Sequence, residues 1–386
     1  MPNILLFNKI AKCGLDQFPE GYVCGDAVEA PAAIMVRSAS LLDFDFDPAT
    51  LAVARAGAGY NNVPIDTCTA QGICVFNTPG ANANGVKELV IMGLLLASRK
   101  VAEAMDWCKT LKGQGADVPK LVEKGKGAYV GPEIMGKTLG LIGIGAIGGL
   151  VANAAAALGM QVVGFDPFLG DEAKAKLDPS VKLLDSASEV IAASDYLSLH
   201  APLNAQTKGS INAETLAVAK DGLRIVNTAR ADLVNSADLL AALESGKVAA
   251  YVVDFPTDEM INVPGVTAIP HLGASTPESE DNCAIMAARQ LTAYIERGQI
   301  VNSVNLPTTG ISTGTEKTFE TRVCVICEKG FDFNLVSGAL NANQPQHFNT
   351  YEGKGADYIL LDTTGDVDAG VVGALPGVLR VRVLKG

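Results

Sequence analysis

The sequence predicts an α/β protein whose larger part is a doubly wound parallel sheet, and three observations lead to this prediction. Short apolar segments alternate with helical patterns between residues 138 and 269, as they do in a parallel sheet with helices on both faces. A glycine-rich turn joins the first of these strands to the helix that follows it. Residues 316–386 instead follow the order strand, helix, strand, strand, helix, strand, which is typical of a small separate module.

The composition excludes several classes of protein. The 386 residues include 30 Lys and Arg against 42 Asp and Glu, and the resulting charge of −12 repels nucleic-acid backbones and anionic membrane surfaces. Residues 138–165 are uncharged, but glycines interrupt them repeatedly, whereas a membrane-spanning helix needs about 20 predominantly apolar residues. The N-terminus lacks the features of a signal peptide. We therefore expect a cytoplasmic protein with neither a nucleic-acid nor a membrane partner.

The eight cysteines are too scattered for a disulfide scaffold, which agrees with a reducing compartment. Cys324 and Cys327 lie three residues apart in a predicted strand, where their side chains point to opposite faces. We therefore expect neither a redox pair nor a metal site there, and no metal site is predicted elsewhere.

The first hundred or so residues contain three predicted buried strands and one long helix. The strands are at 3–7, 32–36 and 73–76, because each is a short apolar run bounded by polar residues or by Gly and Pro. The helix runs from Asn84 to about Lys109 and is apolar on more than one face, so it can link two domains. Residues 112–132 are rich in Gly and Lys without a clear period and predict a loop.

The remaining elements belong to the alternating region and to the C-terminal module. The alternating strands and helices are predicted at 138–143, 147–158, 161–165, 185–193, 195–199, 213–219, 223–227, 236–245, 249–254 and 266–269, and a further helix at 281–297. The C-terminal strands are predicted at 322–326, 346–351, 357–362 and 378–384, and its helices at 332–340 and 366–373.

The motif G-I-G-A-I-G at 143–148 predicts a dinucleotide-binding turn, because it stands between an apolar strand and an Ala-rich helix. Gly143 allows the tight turn, Gly145 lets a pyrophosphate approach the backbone, and Gly148 permits close packing of helix and strand. Asp166 ends the next strand, where a carboxylate accepts hydrogen bonds from the adenosine ribose. Since no Arg or Lys follows before Lys174, the sequence predicts NAD and not NADP.

Ionisable residues stand at the ends of several predicted strands. His200, Arg230, Asp254 and His271 each follow or end such a strand. Charged groups at successive strand ends would be costly in a core unless they pair with one another or meet a ligand. A dehydrogenase that acts on a hydroxy acid needs a base for the hydroxyl proton and a cation for the acid group, and His271 and Arg230 have these properties. The third histidine, His347, is remote from the glycine motif in sequence.

Taken together, these motifs resemble the D-isomer-specific 2-hydroxyacid dehydrogenases, over residues 1–306. The similar motifs are the glycine turn, N-T-A-R at 227–230, V-V-D at 252–254 with an acid five residues later, and P-H-L-G-A-S-T at 270–276. V-R-S at 36–38, R-A-G-A-G-Y-N-N-V at 55–63 and F-N-T-P-G-A-N-A-N-G-V-K-E-L at 76–89 resemble the phosphoglycerate dehydrogenase branch of that family in particular.

The resemblance implies a Rossmann domain inserted into a flavodoxin-like one. The implied divisions are a substrate-binding domain at 1–98 and 282–306, an NAD-binding domain at 99–281, a linker at 307–315 and an ACT-like domain at 316–386. The loop at 327–331 departs from serine-binding ACT domains, so we expect this domain to serve assembly and not serine feedback.

The resemblance also implies a role for each site residue. Arg230 would hold the substrate carboxylate and carbonyl, His271 would be the general acid and base, and Glu259 would orient His271. An alignment on Phe-Pro-Thr would select Asp258 in place of Glu259. The implied cofactor contacts are Gly143, Gly145, Ala146, Ile147, Gly148, Asp166, His200, Thr228, Ala229, Arg230, Asp254, His271, Gly273 and Ala274. The implied substrate contacts are Arg37, Ser38, Ala58, Gly59, Asn82, Arg230 and His271.

The implied activity is the NAD-dependent oxidation of 3-phospho-D-glycerate to 3-phosphonooxypyruvate, the first step toward serine, by a homodimer or homotetramer. Two alternatives stay open. One is another D-2-hydroxyacid dehydrogenase, such as a hydroxypyruvate or glyoxylate reductase, and the other is an NAD-sensing binding protein similar to the corepressors of this family. Lys87 either adds charge for a phosphate or faces solvent.

Overall fold

The computed structural model describes residues 2–309, 318–340 and 347–386 of the chain. The chain divides into two compact units. The first unit comprises residues 1–82 and 277–386, and the second unit comprises residues 83–276. Residues 310–315 of the predicted linker lie outside the described residues.

The strands and helices alternate along most of the chain. The strands are β1 Asn3–Phe7, β2 Val23–Gly25, β3 Ala33–Val36, β4 Ala52–Arg55, β5 Cys74–Phe76, β6 Thr138–Ile142, β7 Gln161–Phe165, β8 Lys182–Leu183, β9 Tyr196–Leu199, β10 Leu223–Asn227, β11 Val248–Val253, β12 Val266–Ala268, β13 Thr321–Glu328, β14 His347–Tyr351, β15 Ala356–Thr363 and β16 Val378–Lys385. The helices are α1 Lys12–Leu15, α2 Ile65–Ala70, α3 Ala83–Ser98, α4 Val101–Thr110, α5 Val118–Gly125, α6 Ala146–Ala157, α7 Asp171–Lys174, α8 Ala187–Ala193, α9 Ala213–Ala217, α10 Ser236–Glu244, α11 Pro277–Arg297, α12 Asn334–Ala339 and α13 Ala369–Gly373.

The first unit contains a five-stranded parallel sheet in the order β2-β1-β3-β4-β5, which is the flavodoxin-like order that was predicted. Two of its strands, β2 and β4, were not predicted. Strand β2 is a short edge strand, and β4 is rich in alanine, which has little intrinsic preference for a strand. Three of the four β4 residues are buried, because β4 lies between β3 and β5.

The C-terminal module belongs to the first unit. Its four antiparallel strands lie in the order β14-β15-β13-β16, and the predicted succession of strands and helices is confirmed. One face of β13, with Val323 and Cys327, packs with helices α12 and α13. The other face, with Cys324 and Ile326, joins the core formed by α11 and the five-stranded sheet. Cys324 and Cys327 are both free thiols on opposite faces, as predicted.

Two arginines of the module lie against α11. Arg382 on β16 donates through Nη2 to the Tyr294 carbonyl at 2.9 Å, and its guanidinium carbon lies 4.0 Å from the centre of the Tyr294 ring. Arg322 on β13 forms a paired ion contact with Asp362, at 2.6 and 2.7 Å, and donates to the Arg297 carbonyl at 2.9 Å. The module therefore shares the core of the first unit with α11 and the five-stranded sheet.

The second unit contains a seven-stranded parallel sheet in the order β12-β11-β10-β9-β6-β7-β8. The chain adds β7 and β8 on one side of β6 and then returns to add β9 to β12 on the other side. The point at which the order reverses is between β6 and β9, and doubly wound sheets bind ligands at that point. The predicted fold class is thus confirmed.

The units divide after residues 82 and 276, whereas boundaries after 98 and 281 were predicted. The reason is α3, whose residues Val86, Val90 and Leu94 share a core with Val226 of β10 and Val252 of β11. The single helix predicted from 84 to 109 is wrong, because the chain breaks at residues 99–100 between α3 and α4.

The predicted loop at 112–132 in fact contains α5. The sequence did carry a signal for it, since Val118, Leu121 and Val122 have the spacing of one helical face. No helix within the described ranges is long and apolar enough to cross a membrane.

Candidate active site

The predicted site residues of the second unit lie along one edge of its sheet. His271 follows β12, Asp254 follows β11, Arg230 follows β10 and His200 follows β9, while the glycine turn follows β6. Asp166 extends this line to β7. Because these six strands are adjacent and parallel, residues scattered over more than 120 positions of sequence meet at one carboxyl edge. Their individual roles stay predictions.

Two positions of the glycine turn, 143 and 148, require glycine for structural reasons. The third, Gly145, faces open space. Gly143 has a positive φ of 91°, which favours glycine. A Cβ on Gly148 would lie 2.2 Å from the Gly143 carbonyl oxygen, so this position is closed by packing. A Cβ on Gly145 would meet no described atom within 4 Å, although Gly145 caps the 12-residue helix α6. The turn thus offers open backbone at a helix N-terminus, where a pyrophosphate binds.

This asymmetry predicts opposite results for two Gly→Ala changes. We expect Gly148→Ala to lower the free energy of unfolding by about 1–3 kcal/mol because the new methyl group has no room. We expect Gly145→Ala to change unfolding by less than about 0.5 kcal/mol. Since its methyl group would occupy the open surface, it should weaken NAD binding about tenfold or more, or about 1.4 kcal/mol. Urea denaturation and NAD titration measure both quantities, and Gly145→Ala binding NAD as tightly as the parent protein would contradict the assignment.

Asp166 ties the glycine turn to the end of β7. Its Oδ2 accepts the Ile144 backbone N–H at 2.8 Å, and its Oδ1 accepts the Phe168 backbone N–H at 2.9 Å. Each carboxylate oxygen can accept more than one hydrogen bond, so both keep capacity for a ribose hydroxyl. The contact with the ribose stays a prediction, but the structure shows that Asp166 also fixes the turn itself.

His200 is half-buried beside the turn, and its imidazole is neutral at physiological pH. Its Nε2 lies 2.9 Å from the Ser198 hydroxyl. Burial lowers the pKa of the imidazole to about 4. His200 is therefore suited to line the cofactor turn and not to exchange protons near neutral pH.

The strand ends of β10 and β11 carry two buried polar groups, the Asp254 carboxyl and the Thr228 hydroxyl. Asp254 is only 2% exposed, and neither of its carboxylate oxygens has a hydrogen-bond partner among the described residues. Within the same described part of the chain, the hydroxyl of Thr228 also lacks one. Buried polar groups are normally satisfied, so each such group requires an explanation. The carboxamide of a bound nicotinamide carries a hydrogen-bond donor and an acceptor, which are the kinds of group that these side chains require.

The raised pKa of Asp254 can be tested by unfolding the protein without its cofactor. Burial raises this pKa from 3.8 to about 6, although the Arg230 charge opposes the rise. Between these two pH values the folded chain binds more protons than the unfolded chain, so the free energy of unfolding should fall as pH rises from about 4 to about 6. Asp254→Asn should remove this contribution to the slope. Urea denaturation across that pH range measures it, and an unchanged slope in the variant would show that the carboxyl group titrates normally.

Phe255 lies between the two predicted catalytic groups. Its ring centre is 5.3 Å from the Arg230 guanidinium carbon and 4.1 Å from the His271 ring centre, at an interplanar angle of 61°. The Arg230 guanidinium also donates to the Ala229 carbonyl at 2.6 Å. His271 and Arg230 are both exposed, and an aromatic spacer thus contacts both.

Asn227, like Phe255, lies at the site but was not among the predicted site residues. Its Nδ2 donates to the Arg230 carbonyl at 2.9 Å and to the Tyr251 hydroxyl at 3.1 Å, and its Oδ1 accepts the Ala229 N–H at 3.1 Å. The side chain therefore holds the turn that carries Thr228 and Arg230. The sequence did contain an indication of this role, because Asn227 is the first residue of the N-T-A-R motif. Phe255 had a comparable signal, since it directly follows Asp254.

Glu259 lies in a short 3-10 turn, Asp258–Met260, and is exposed. Its own backbone N–H and the hydroxyls of Thr257 and Ser236 lower its pKa, so the carboxylate is ionised. The choice between Glu259 and Asp258 as the residue that orients His271 stays a prediction.

The predicted substrate residues, apart from Arg230 and His271, belong to the first unit. Arg37 directly follows β3, and the next N–H groups, of Ser38 and Ala39, donate to the Asn8 side chain at 2.9 and 2.8 Å. Asn8 has a positive φ of 68°, which asparagine tolerates better than most residues.

Ala58 and Gly59 form a turn after β4, which Asn77 holds by donating to the Ala58 carbonyl at 2.7 Å. The Asn82 side-chain oxygen is buried without a hydrogen-bond partner in the described ranges. Lys87 belongs to the second unit, where its side chain is 22% exposed and lies 3.6 Å from Glu88.

Comparison with known proteins shows the family of this chain. Residues 91–273 match the family described as D-isomer specific 2-hydroxyacid dehydrogenase, NAD binding domain. The hydroxypyruvate reductase of Thermotoga maritima is 39% identical over 265 residues, which are 65% of this chain and 81% of that protein. The chain belongs to the D-isomer specific 2-hydroxyacid dehydrogenase family. Its second unit is accordingly an NAD-binding domain.

Two further relatives carry another name. The D-3-phosphoglycerate dehydrogenase of Bacillus subtilis is 36% identical over 284 residues, which are 71% of this chain and 51% of that protein. The chain thus spans about half the length of that relative. The NAD+-bound 3-phosphoglycerate dehydrogenase of Entamoeba histolytica has a similar structure, with a TM-score of 0.59, 25% identity and coverage of 79% of this chain and 98% of that one.

Proposed function

We propose that this member of the family is an NAD-dependent dehydrogenase that oxidises 3-phospho-D-glycerate to 3-phosphonooxypyruvate, the first step toward serine. The main support is the carboxyl edge of the second sheet. The open glycine turn and the buried carboxyl of Asp254 lie on this edge, together with Arg230 and His271, which both contact Phe255. The names of the phosphoglycerate dehydrogenases among its relatives support the choice of substrate.

The glycine turn, Asp166, Thr228 and Asp254 would hold NAD, which accepts a hydride from the substrate carbon when it is bound. His271 takes the proton of the substrate hydroxyl during oxidation and returns it during reduction. Arg230 binds the substrate carboxylate through paired hydrogen bonds. Glu259, or Asp258 in its place, orients the His271 imidazole and stabilises its protonated form.

Arg37 is the cation that we propose for the phosphate of the substrate, with the Ala58–Gly59 turn and Asn82 as further contacts. Asp166 without a nearby cation favours NAD over NADP, because the 2′-phosphate of NADP would meet its carboxylate.

A second candidate activity is the reduction of hydroxypyruvate or glyoxylate. One observation in the first unit favours it, because Arg37 is already paired with Glu280 at 2.6 Å and its charge is partly compensated. The name of the Thermotoga relative points the same way.

Steady-state reduction of phosphonooxypyruvate, hydroxypyruvate and glyoxylate with NADH tests these proposals. We expect the highest kcat/KM for phosphonooxypyruvate. A higher value for hydroxypyruvate or glyoxylate would establish the second candidate. Binding of NADH without turnover of any of the three would instead indicate an NAD-sensing binding protein.

We also propose that the protein is a homodimer or homotetramer. Two adjacent leucines of α3 differ in burial, since Leu94 is fully buried and Leu95 is 46% exposed. Met92, Val101 and Met105 on α3 and α4 are exposed as well, and exposed apolar clusters mark interaction surfaces. Sedimentation velocity should show a species of at least twice the chain mass, and a single species of the 40.0 kDa chain would contradict the proposal.

A further inference from the structure

Two arginines lie side by side at the carboxyl edge of the first sheet. Arg37 directly follows β3, and Arg55 is the last residue of the neighbouring strand β4. The Arg55 Nε donates to the Arg37 backbone carbonyl at 3.0 Å. Burial and the neighbouring Arg37 charge both lower the pKa of Arg55. Two cations held this close favour the binding of an anion.

The chain supplies one such anion itself. Glu280, in the first turn of the 21-residue helix α11, lies 2.6 Å from an Nη atom of Arg37, and both side chains are 40% exposed. The two arginines and this one carboxylate carry a net charge of +1. An acidic residue in the first turn of a helix is favourable in itself, but Glu278 already provides that and is exposed. The contact with Arg37 is what distinguishes Glu280.

We propose that Glu280 sets the preference of the enzyme between phosphorylated and unphosphorylated 2-hydroxy acids, by competing with the substrate phosphate for Arg37. This inference rests on the proposed function, in which Arg37 binds that phosphate. A phosphomonoester carries a charge of about −1.5 to −2 at pH 7. To reach Arg37 it must displace the Glu280 carboxylate or bind beside it against its repulsion, whereas an unphosphorylated substrate leaves the ion pair intact.

Glu280→Gln removes the competing charge and keeps the size of the side chain. Hydroxypyruvate and phosphonooxypyruvate differ by one phosphoryl group, so the ratio of their kcat/KM values isolates the phosphate. We expect Glu280→Gln to raise the ratio in favour of phosphonooxypyruvate about five- to tenfold, through a lower KM and with little change in kcat. The gain should shrink as salt is added, because half-exposed charges are screened.

Two further variants make the test specific. Glu278→Gln removes an equal charge from the same helix turn, and its ratio should stay within about twofold of the parent value. Adding Arg37→Gln to Glu280→Gln should abolish the gain, because the phosphate then loses the group for which Glu280 competes. An equal gain from Glu278→Gln and Glu280→Gln would overturn the proposal, since it would indicate a general field effect.

The outcomes also separate this inference from the proposed function. If the parent enzyme reduces either keto acid and Glu280→Gln leaves the ratio unchanged, the role of Glu280 is wrong and the dehydrogenase activity stands. If the parent enzyme reduces neither, the proposed function fails, and calorimetric titration with 3-phosphoglycerate then decides the role of Glu280. Tighter binding of 3-phosphoglycerate by Glu280→Gln than by the parent protein supports that role, and equal or weaker binding overturns it.

Discussion

His271→Gln should lower kcat for the reduction of the preferred keto acid by about 10²- to 10⁴-fold, which is the usual contribution of a positioned acid–base group. The physical reason is that no other histidine can replace it. His200 on the same sheet edge is held neutral by a pKa of about 4, and His347 lies on β14 of the C-terminal module. The affinity for NADH should change far less than kcat, because His271 is one of many predicted cofactor contacts and the glycine turn and Asp166 follow other strands, β6 and β7.

The measurement is steady-state turnover together with a fluorescence titration of NADH. His347→Gln is the matched control, because this exposed histidine lies on an edge strand of the first unit and should leave kcat within about twofold. Residual turnover of more than a tenth of the parent value in His271→Gln would show that another group carries the proton.

Tyr358→Ala should lower the free energy of unfolding of the first unit by about 3–5 kcal/mol, which is the range for removing a buried aromatic side chain. Tyr358 is fully buried on β15, within the core that the C-terminal module shares with α11. Its hydroxyl donates to the Gly298 carbonyl at 2.8 Å, directly after α11 ends. A detachable regulatory module would not transmit this loss to the rest of the unit.

The chain offers a probe and a control for this result. Its single tryptophan, Trp107 on α4, belongs to the second unit, so its fluorescence reports that unit, while circular dichroism reports both. Phe348→Ala, at a 36% exposed position of β14, should cost less than about 1 kcal/mol. If Tyr358→Ala costs no more than Phe348→Ala, the module does not support the core of the first unit.

This packing indicates that the C-terminal module stabilises the first unit. The sequence predicted its six elements in the right order, and its resemblance to an ACT domain stays a proposal. Its contribution to the first unit comes from residues such as Ile326 and Leu360, which are apolar in any strand of this kind. The tertiary structure alone shows that Ile326 and Leu360 pack into the core of the five-stranded sheet.

The local pattern of the sequence determined much of this protein. Apolar runs alternating with helical periods predicted the doubly wound sheet, and G-I-G-A-I-G between a strand and a helix predicted the cofactor turn. The residues Arg230, Asp254 and His271 were singled out because each follows or ends a predicted strand. These features depend on residues close in sequence, since strand ends and turns are formed by short segments whose periodicity can be read directly.

The tertiary structure decided what depends on residues far apart in sequence. Strand β4 is buried because β3 and β5 flank it, and α3 belongs to the second unit because its apolar face meets β10 and β11. The ion pair of Arg37 with Glu280 joins positions 243 residues apart, which no local period connects. Which partner a charge or an apolar face meets is set by the packing of whole elements, and that packing is the part of the protein that local sequence pattern does not contain.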